Sequence, residues 1–265
     1  KALVAFYTTG GWGTPRNPAV QAVAYSNDRG RTWTKYRGNP VLPHIRGDNR
    51  DPKVIWHAPT RTWIMALYLD GHDFAVFGSK NMKQWERLCD VHVCGSSECP
   101  DFFELPVGGN PKDARWVFWG GDGKYLVGSF DGRKFEPEVV PCIGEQGPSG
   151  YAAQTWSDVP GGRRIQTSWM RGGKYPSMPF NQQMSFPVEL TLEKFPEGVR
   201  LCRHPVREVE KLYKRAHRWQ RHVLKPGANI VPRTKHDLFD IRDEVNLGDA
   251  EGFGQAAHGM RRRRQ

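Results

Sequence analysis

Ser26-Asn27-Asp28-Arg29-Gly30-Arg31-Thr32-Trp33 is the stretch that decides the fold. It recurs loosely as Ser79-Lys80-Asn81-Met82-Lys83-Gln84-Trp85 and again as Ser129-Phe130-Asp131-Gly132-Arg133-Lys134-Phe135. The leading serines stand at 26, 79 and 129, a period near 50 residues. Each copy follows a short apolar run: Val20 to Tyr25, Phe74 to Gly78, Tyr125 to Gly128. Each offers Ser, Asp or Asn oxygens to nearby backbone N–H groups, then an aromatic residue that packs back on the hairpin. The physical reading is strand, polar turn, returning strand, repeated about once every 50 residues. Further runs predict strands at 53–57, 63–69, 116–120, 165–169 and 184–192. Repeats of this length built from strands predict four-stranded propeller blades. Residues 1 to about 200 supply roughly four of them.

Composition excludes several classes. The 265 residues are 38% hydrophobic and 25% charged, enough apolar material for a core and too much for disorder. Gly 29, Pro 20, Trp 10, Tyr 8 and Phe 13 fit turns and short aromatic strands and rule out a helical bundle. Helical periodicity is confined to Val206, Val209 and Leu212. No apolar run approaches the ~18 residues of a membrane span. The net charge of +11 is concentrated in a basic segment, 203–221, and in the tail Arg261-Arg262-Arg263-Arg264. The rest is close to neutral, so neither a nucleic-acid nor a membrane partner is expected. Cys89, Cys94, Cys99, Cys142 and Cys202 are odd in number and match no common zinc spacing. No metal and no cofactor is expected.

Two acidic motifs stand about one repeat apart. Arg50-Asp51-Pro52 precedes the run at Lys53, and Ser97-Glu98-Cys99-Pro100-Asp101 precedes Phe102-Phe103-Glu104-Leu105. On adjacent blades, equivalent positions converge on a central channel, and paired carboxylates are what glycoside hydrolysis requires. Asp51 and Glu98 read equally well as ordinary turn acids. Trp56, Trp119, Tyr151, Trp156, Trp169 and Tyr175 fall near strand ends, where rings stack on sugar C–H faces. Most belong to a propeller core; Tyr151 and Trp169 are the preferred exceptions.

Together these motifs resemble glycoside hydrolase family 32, the levanases, inulinases and invertases. The similarity rests on Arg50-Asp51-Pro52 and on Glu98-Cys99-Pro100-Asp101-Phe102-Phe103-Glu104-Leu105. It is supported by Ala24-Tyr25-Ser26-Asn27-Asp28, Tyr151-Ala152-Ala153-Gln154-Thr155-Trp156 and Met184-Ser185-Phe186-Pro187-Val188-Glu189-Leu190. The resemblance implies an all-β chain: a five-bladed propeller with an incomplete N-terminal blade, then the start of a β-sandwich. The expected parts are a propeller domain at 1–202, a basic linker with a short helix at 203–224, and the sandwich start at 225–265. It also implies a retaining β-fructofuranosidase, with Glu98 as general acid/base and Asp51 holding sugar hydroxyls and stabilising the transition state. Arg50, Cys99, Tyr151 and Trp169 would bind substrate, a fructan or sucrose. An acid working near neutral pH is expected to have a raised pKa.

One departure matters. The family's nucleophile is an aspartate in a W-M-N-D-P-N-G-like motif near the N-terminus, and no such motif occurs here. The chain opens on Lys1-Ala2-Leu3-Val4-Ala5-Phe6-Tyr7, which reads as the interior of a strand, without an initiator Met or a signal peptide. The expectation is a missing upstream blade and an inactive piece of a secreted or periplasmic enzyme. Two other readings stay open: a sialidase-like propeller, because Ser26 to Trp33 fits an Asp-box, and a non-catalytic carbohydrate-binding propeller.

Overall fold

A computed structural model describes residues 2–11, 17–172 and 175–214, with isolated positions beyond. The polypeptide separates into two units, Lys1–Lys211 and Leu212–Gln265. In the first unit the strands form consecutive antiparallel meanders. Blade 1 is β1 (Leu3–Thr9), β2 (Val20–Ser26) and β3 (Thr34–Lys35). Blade 2 is β4 (Arg50–His57), β5 (Thr62–Asp70), β6 (Asp73–Ser79) and β7 (Glu86–His92). Blade 3 is β8 (Asp101–Val107), β9 (Asn110–Trp119) and β10 (Lys124–Phe130), with β11 (Phe135–Pro137) and β12 (Cys142–Ile143) both pairing β10. Blade 4 is β13 (Gly150–Trp156), β14 (Arg164–Met170), β15 (Val188–Phe195) and β16 (Gly198–Pro205). Blades 3 and 4 join where Leu192 of β15 meets Val107 of β8 in parallel.

The repeated octapeptide does the job its chemistry dictates. Ser26 ends β2, and Asp28 accepts bonds from Thr32 N (2.9 Å) and Thr32 Oγ1 (2.7 Å). Asn81 Oδ1 accepts from Lys83 N and Gln84 N, each at 3.0 Å. Asp131 Oδ1 accepts from Arg133 N and Lys134 N, each at 2.7 Å. All three turns lead into the outermost strands of blades 1, 2 and 3. The Thr32 and Ser26 bonds hold the Asp28 carboxyl down at about 2.

Between the blades lie layers of interlocked apolar side chains. Phe102 packs against Trp116, Phe118, Phe130 and Phe135, with ring centroids 4.6–5.5 Å apart. Two expectations need correction. The run at 184–192 becomes a strand only from Val188, because Pro187 has no N–H for a ladder; Met184 makes a single bridge to Trp169. The piece at Val206, Val209 and Leu212 is a 3-10 helix over Arg207–Leu212 with no buried residue, so its spacing marks no α-helical face. The sandwich start expected at 225–265, with the arginine tail, lies largely outside the described residues.

Candidate active site

The first strands of blades 2, 3 and 4 all begin with a break in regular geometry. In β4, residues Arg50 and Lys53 oppose Tyr68 and Ala66, so β4 carries one extra residue. In β13, Tyr151 and Gln154 oppose Trp169 and Thr167, the same one-residue excess. The extra residues take left-handed backbone: Asp51 at φ 63° and Ala152 at φ 52°. Ahead of β8, Glu98 (φ 54°) and Cys99 (φ 44°) do the same. Such bulges re-aim side chains, and non-glycine residues persist there only when their surroundings hold them.

The surroundings do so with specific bonds. Asp51 N–H donates to Thr8 Oγ1 at 3.1 Å, and Thr8 in turn donates to Gln21 at 2.8 Å. Cys99 N–H donates to Asp51 Oδ2 at 2.9 Å. Gly121 N–H donates to both Ser97 O and Glu98 O at 2.9 Å. A Cβ at Gly121 would stand 2.8 Å from Ser97 O, so only glycine permits this approach.

The result gathers Asp51 and Glu98. Arg50 Nη2 donates to Glu98 Oε1 at 2.6 Å and Tyr151 OH donates to Glu98 Oε2 at 2.5 Å. One oxygen of each carboxyl and the Cys99 sulfur lie within 4.8 Å of one another. Trp169 packs edge-on against Tyr151 at 6.2 Å. All six residues singled out in the sequence therefore fall in one cluster. Trp56 and Trp156, by contrast, sit half exposed near the far ends of β4 and β13, and Trp119 is core. Tyr175 packs on Phe180 in a loop whose open concavity contains neither carboxylate.

The sequence reading missed Arg171, whose guanidinium lies 3.7 Å from the Tyr151 ring centroid. It also assigned nothing to Lys53, Asp101 and Gln154, which join the three first strands. A charged or amide side chain one to three residues from each motif was the available signal; their partners are about 50 to 100 residues distant.

Electrostatics overturn one expectation. Burial pushes the Glu98 carboxyl up, but bonds from Tyr151 and Arg50 and the charges of Arg50 and Arg171 together hold it below the ordinary carboxylate range. Glu98 thus rests ionised, with Arg50 on one carboxyl oxygen and Tyr151 on the other. Burial and the Glu98 charge push the Tyr151 phenol up. Burial beside Asp51 also pushes the Cys99 thiol up, so it is protonated. Two carboxylates already paired with a guanidinium, beside a neutral thiol, are a poor donor set for a metal.

A depressed carboxyl stabilises the fold above its unfolded value of 4.5, and that stability disappears as pH falls through the folded value. Tyr151→Phe removes one donor. The Glu98 midpoint, followed by carbon NMR of its carboxyl, is expected to rise by about one pH unit. An unmoved midpoint would show that the phenol does not hold the charge.

The Glycosyl hydrolases family 32 N-terminal domain model matches residues 1–205. The chain belongs to glycoside hydrolase family 32. A levanase of Bacillus subtilis is 39% identical over 96% of this chain and 41% of its own length. An extracellular exo-inulinase of Meyerozyma guilliermondii is 32% identical over 72% of this chain and 40% of its length. The fructofuranosidase of Schwanniomyces occidentalis complexed with fructose superposes with a TM-score of 0.67 at 30% identity, covering 77% of this chain and 43% of that one. The chain thus spans less than half the length of these relatives. Family 32 membership agrees with the all-β propeller, in which the Ser26–Trp33 hairpin is held by its own Ser26 and Asp28 bonds.

Proposed function

We propose that the protein acts as a retaining β-fructofuranosidase on levan, inulin or sucrose, outside the cytoplasm. The observation that carries the reading is the convergence of Asp51 and Glu98, with Arg50 and Tyr151, at the start of neighbouring first strands. Glu98 is the general acid/base. As a base it takes the proton of the attacking water; as an acid it protonates the leaving oxygen. Asp51 accepts hydroxyls of the fructosyl ring and stabilises the oxocarbenium-like transition state. Arg50 is both hydroxyl donor and counter-charge. Cys99 fixes Asp51 through its N–H, while Tyr151 and Trp169 form the ring wall. The names of the similar levanase, exo-inulinase and fructofuranosidase support the substrate class, and the extracellular inulinase supports the location.

No W-M-N-D-P-N-G-like segment occurs in the 265 residues, so this chain alone is proposed to be inactive. That same lack favours a second reading, a propeller that binds fructans without cleaving them. Fructose release from sucrose, levan and inulin separates the cases. The chain as it stands should release none. Turnover would overturn the inactivity, and a covalent fructosyl adduct mapped to Asp51 by mass spectrometry would make Asp51 the nucleophile. Fusing a W-M-N-D-P-N-G-bearing segment ahead of residue 1 should restore release, and Glu98→Gln in that fusion should abolish it. A folded fusion that binds fructan without cleaving it would leave the binding propeller.

A further inference from the structure

We infer that Gln154 is a positioning residue for the Glu98 carboxylate, and that Lys53 sets the orientation of the Gln154 amide. This rests on the reading of Glu98 as the acid/base but is testable without turnover.

The Glu98-Cys99 turn places two consecutive non-glycine residues in left-handed backbone, a conformation that persists only when its surroundings hold it. Something rigid must hold it. Gln154 Nε2 donates to Cys99 O at 3.1 Å and to Pro100 O at 3.2 Å. Those are the two carbonyls directly after Glu98. Gln154 is itself the first residue back in register after the β13 bulge, and an amide side chain has two faces, one donating and one accepting. Lys53 Nζ decides between them: it donates to Gln154 Oε1 at 3.2 Å, and an ammonium has only donors. With Oε1 facing Lys53, Nε2 faces the turn.

Lys53 is fixed in its turn. It donates to Thr155 O at 3.1 Å and pairs with Asp101 Oδ1 at 3.1 Å. Asp101 is fully buried, and its other oxygen accepts from Thr155 N–H at 2.6 Å. One ammonium thereby ties the first strands of blades 2, 3 and 4 behind the site, and Gln154 passes that rigidity to the turn. Around Glu98 itself the charged and titratable groups among the described residues are Arg50 and Asp51 from β4, Tyr68 from β5, Tyr151 from β13, Arg171 after β14, Cys99 beside it and Asp122 after β9. Neither Lys53 nor Gln154 touches the carboxyl, so their influence on it runs through the backbone.

The test uses the full chain with carbon-labelled carboxyls, the Glu98 signal being assigned by its disappearance in Glu98→Gln. Gln154→Met keeps the length of the side chain and removes all its hydrogen bonds. With the turn loosened, Glu98 loses its fixed seat between Arg50 and Tyr151, and its midpoint is expected to rise by about one pH unit. Lys53→Met should raise it too, and the double variant should titrate no higher than Gln154→Met alone. An unchanged midpoint in a folded Gln154→Met chain overturns the proposal, whatever happens to the melting temperature. Additive single effects overturn the part assigned to Lys53, because they mean it acts through its charge. If Lys53→Met fails to fold, Lys53→Met/Asp101→Asn removes both charges of the pair and takes its place. Because the readout is a titration, its failure leaves the fructosidase reading intact, and a fusion that releases no fructose leaves this inference intact.

Discussion

Asp101→Ala is expected to lower the unfolding free energy by about 3–5 kcal/mol, as found when one partner of a buried ion pair is removed. Asp101 is fully buried, with one oxygen 3.1 Å from Lys53 Nζ and the other 2.6 Å from Thr155 N–H. Removing it strands the Lys53 ammonium with only neutral acceptors and leaves Thr155 N–H without its acceptor. Domains of this kind carry about 5–15 kcal/mol in total, so the loss is a large fraction of the whole. Urea unfolding followed by tryptophan fluorescence gives the number. Asp101→Asn keeps one of the two oxygens that serve Lys53 Nζ, Phe102 N–H and Thr155 N–H, and should lose less. A loss below about 1 kcal/mol for Asp101→Ala would mean that solvent or a neighbour replaces the carboxylate.

The second large effect belongs to the aromatic core. Phe102→Ala should cost about 3–5 kcal/mol. Phe102 is almost fully buried and its ring touches four other aromatic rings, those of Trp116, Phe118, Phe130 and Phe135. These rings interlock from three strands and a hairpin, so the space left behind cannot collapse cheaply. Scanning calorimetry should show the melting temperature falling by roughly 10 °C. Phe102→Leu, which fills much of the space, should fall by less. Equal effects for the two variants would show that the core repacks around the gap.

What the sequence made legible was local. The hairpins at Ser26, Ser79 and Ser129 could be read because their bonds span two to four residues, as in Asp28 to Thr32. The strands showed in apolar runs, and the two carboxylates showed in motif and period. The bulge that turns Ala152 left-handed carries no local marker, and an aspartate at position 51 is only a weak one; tertiary bonds impose the geometry at both. Nor could the charge state of Glu98 be read. Burial alone gives the raised value expected from the motif, and two donors from strands 48 and 53 residues away reverse it. Pairings such as Lys53 with Gln154, 101 residues apart, belong to the assembled blades.

The repeated bulge has a practical corollary. At blade 2 the left-handed position carries a carboxylate, whereas at blade 4 the same backbone shape carries only the methyl of Ala152, partly open to solvent. Asparagine and aspartate adopt left-handed backbone more readily than alanine. Position 152 is therefore a prepared graft point, where a designer could install a polar head group one residue from Tyr151 without reshaping the main chain.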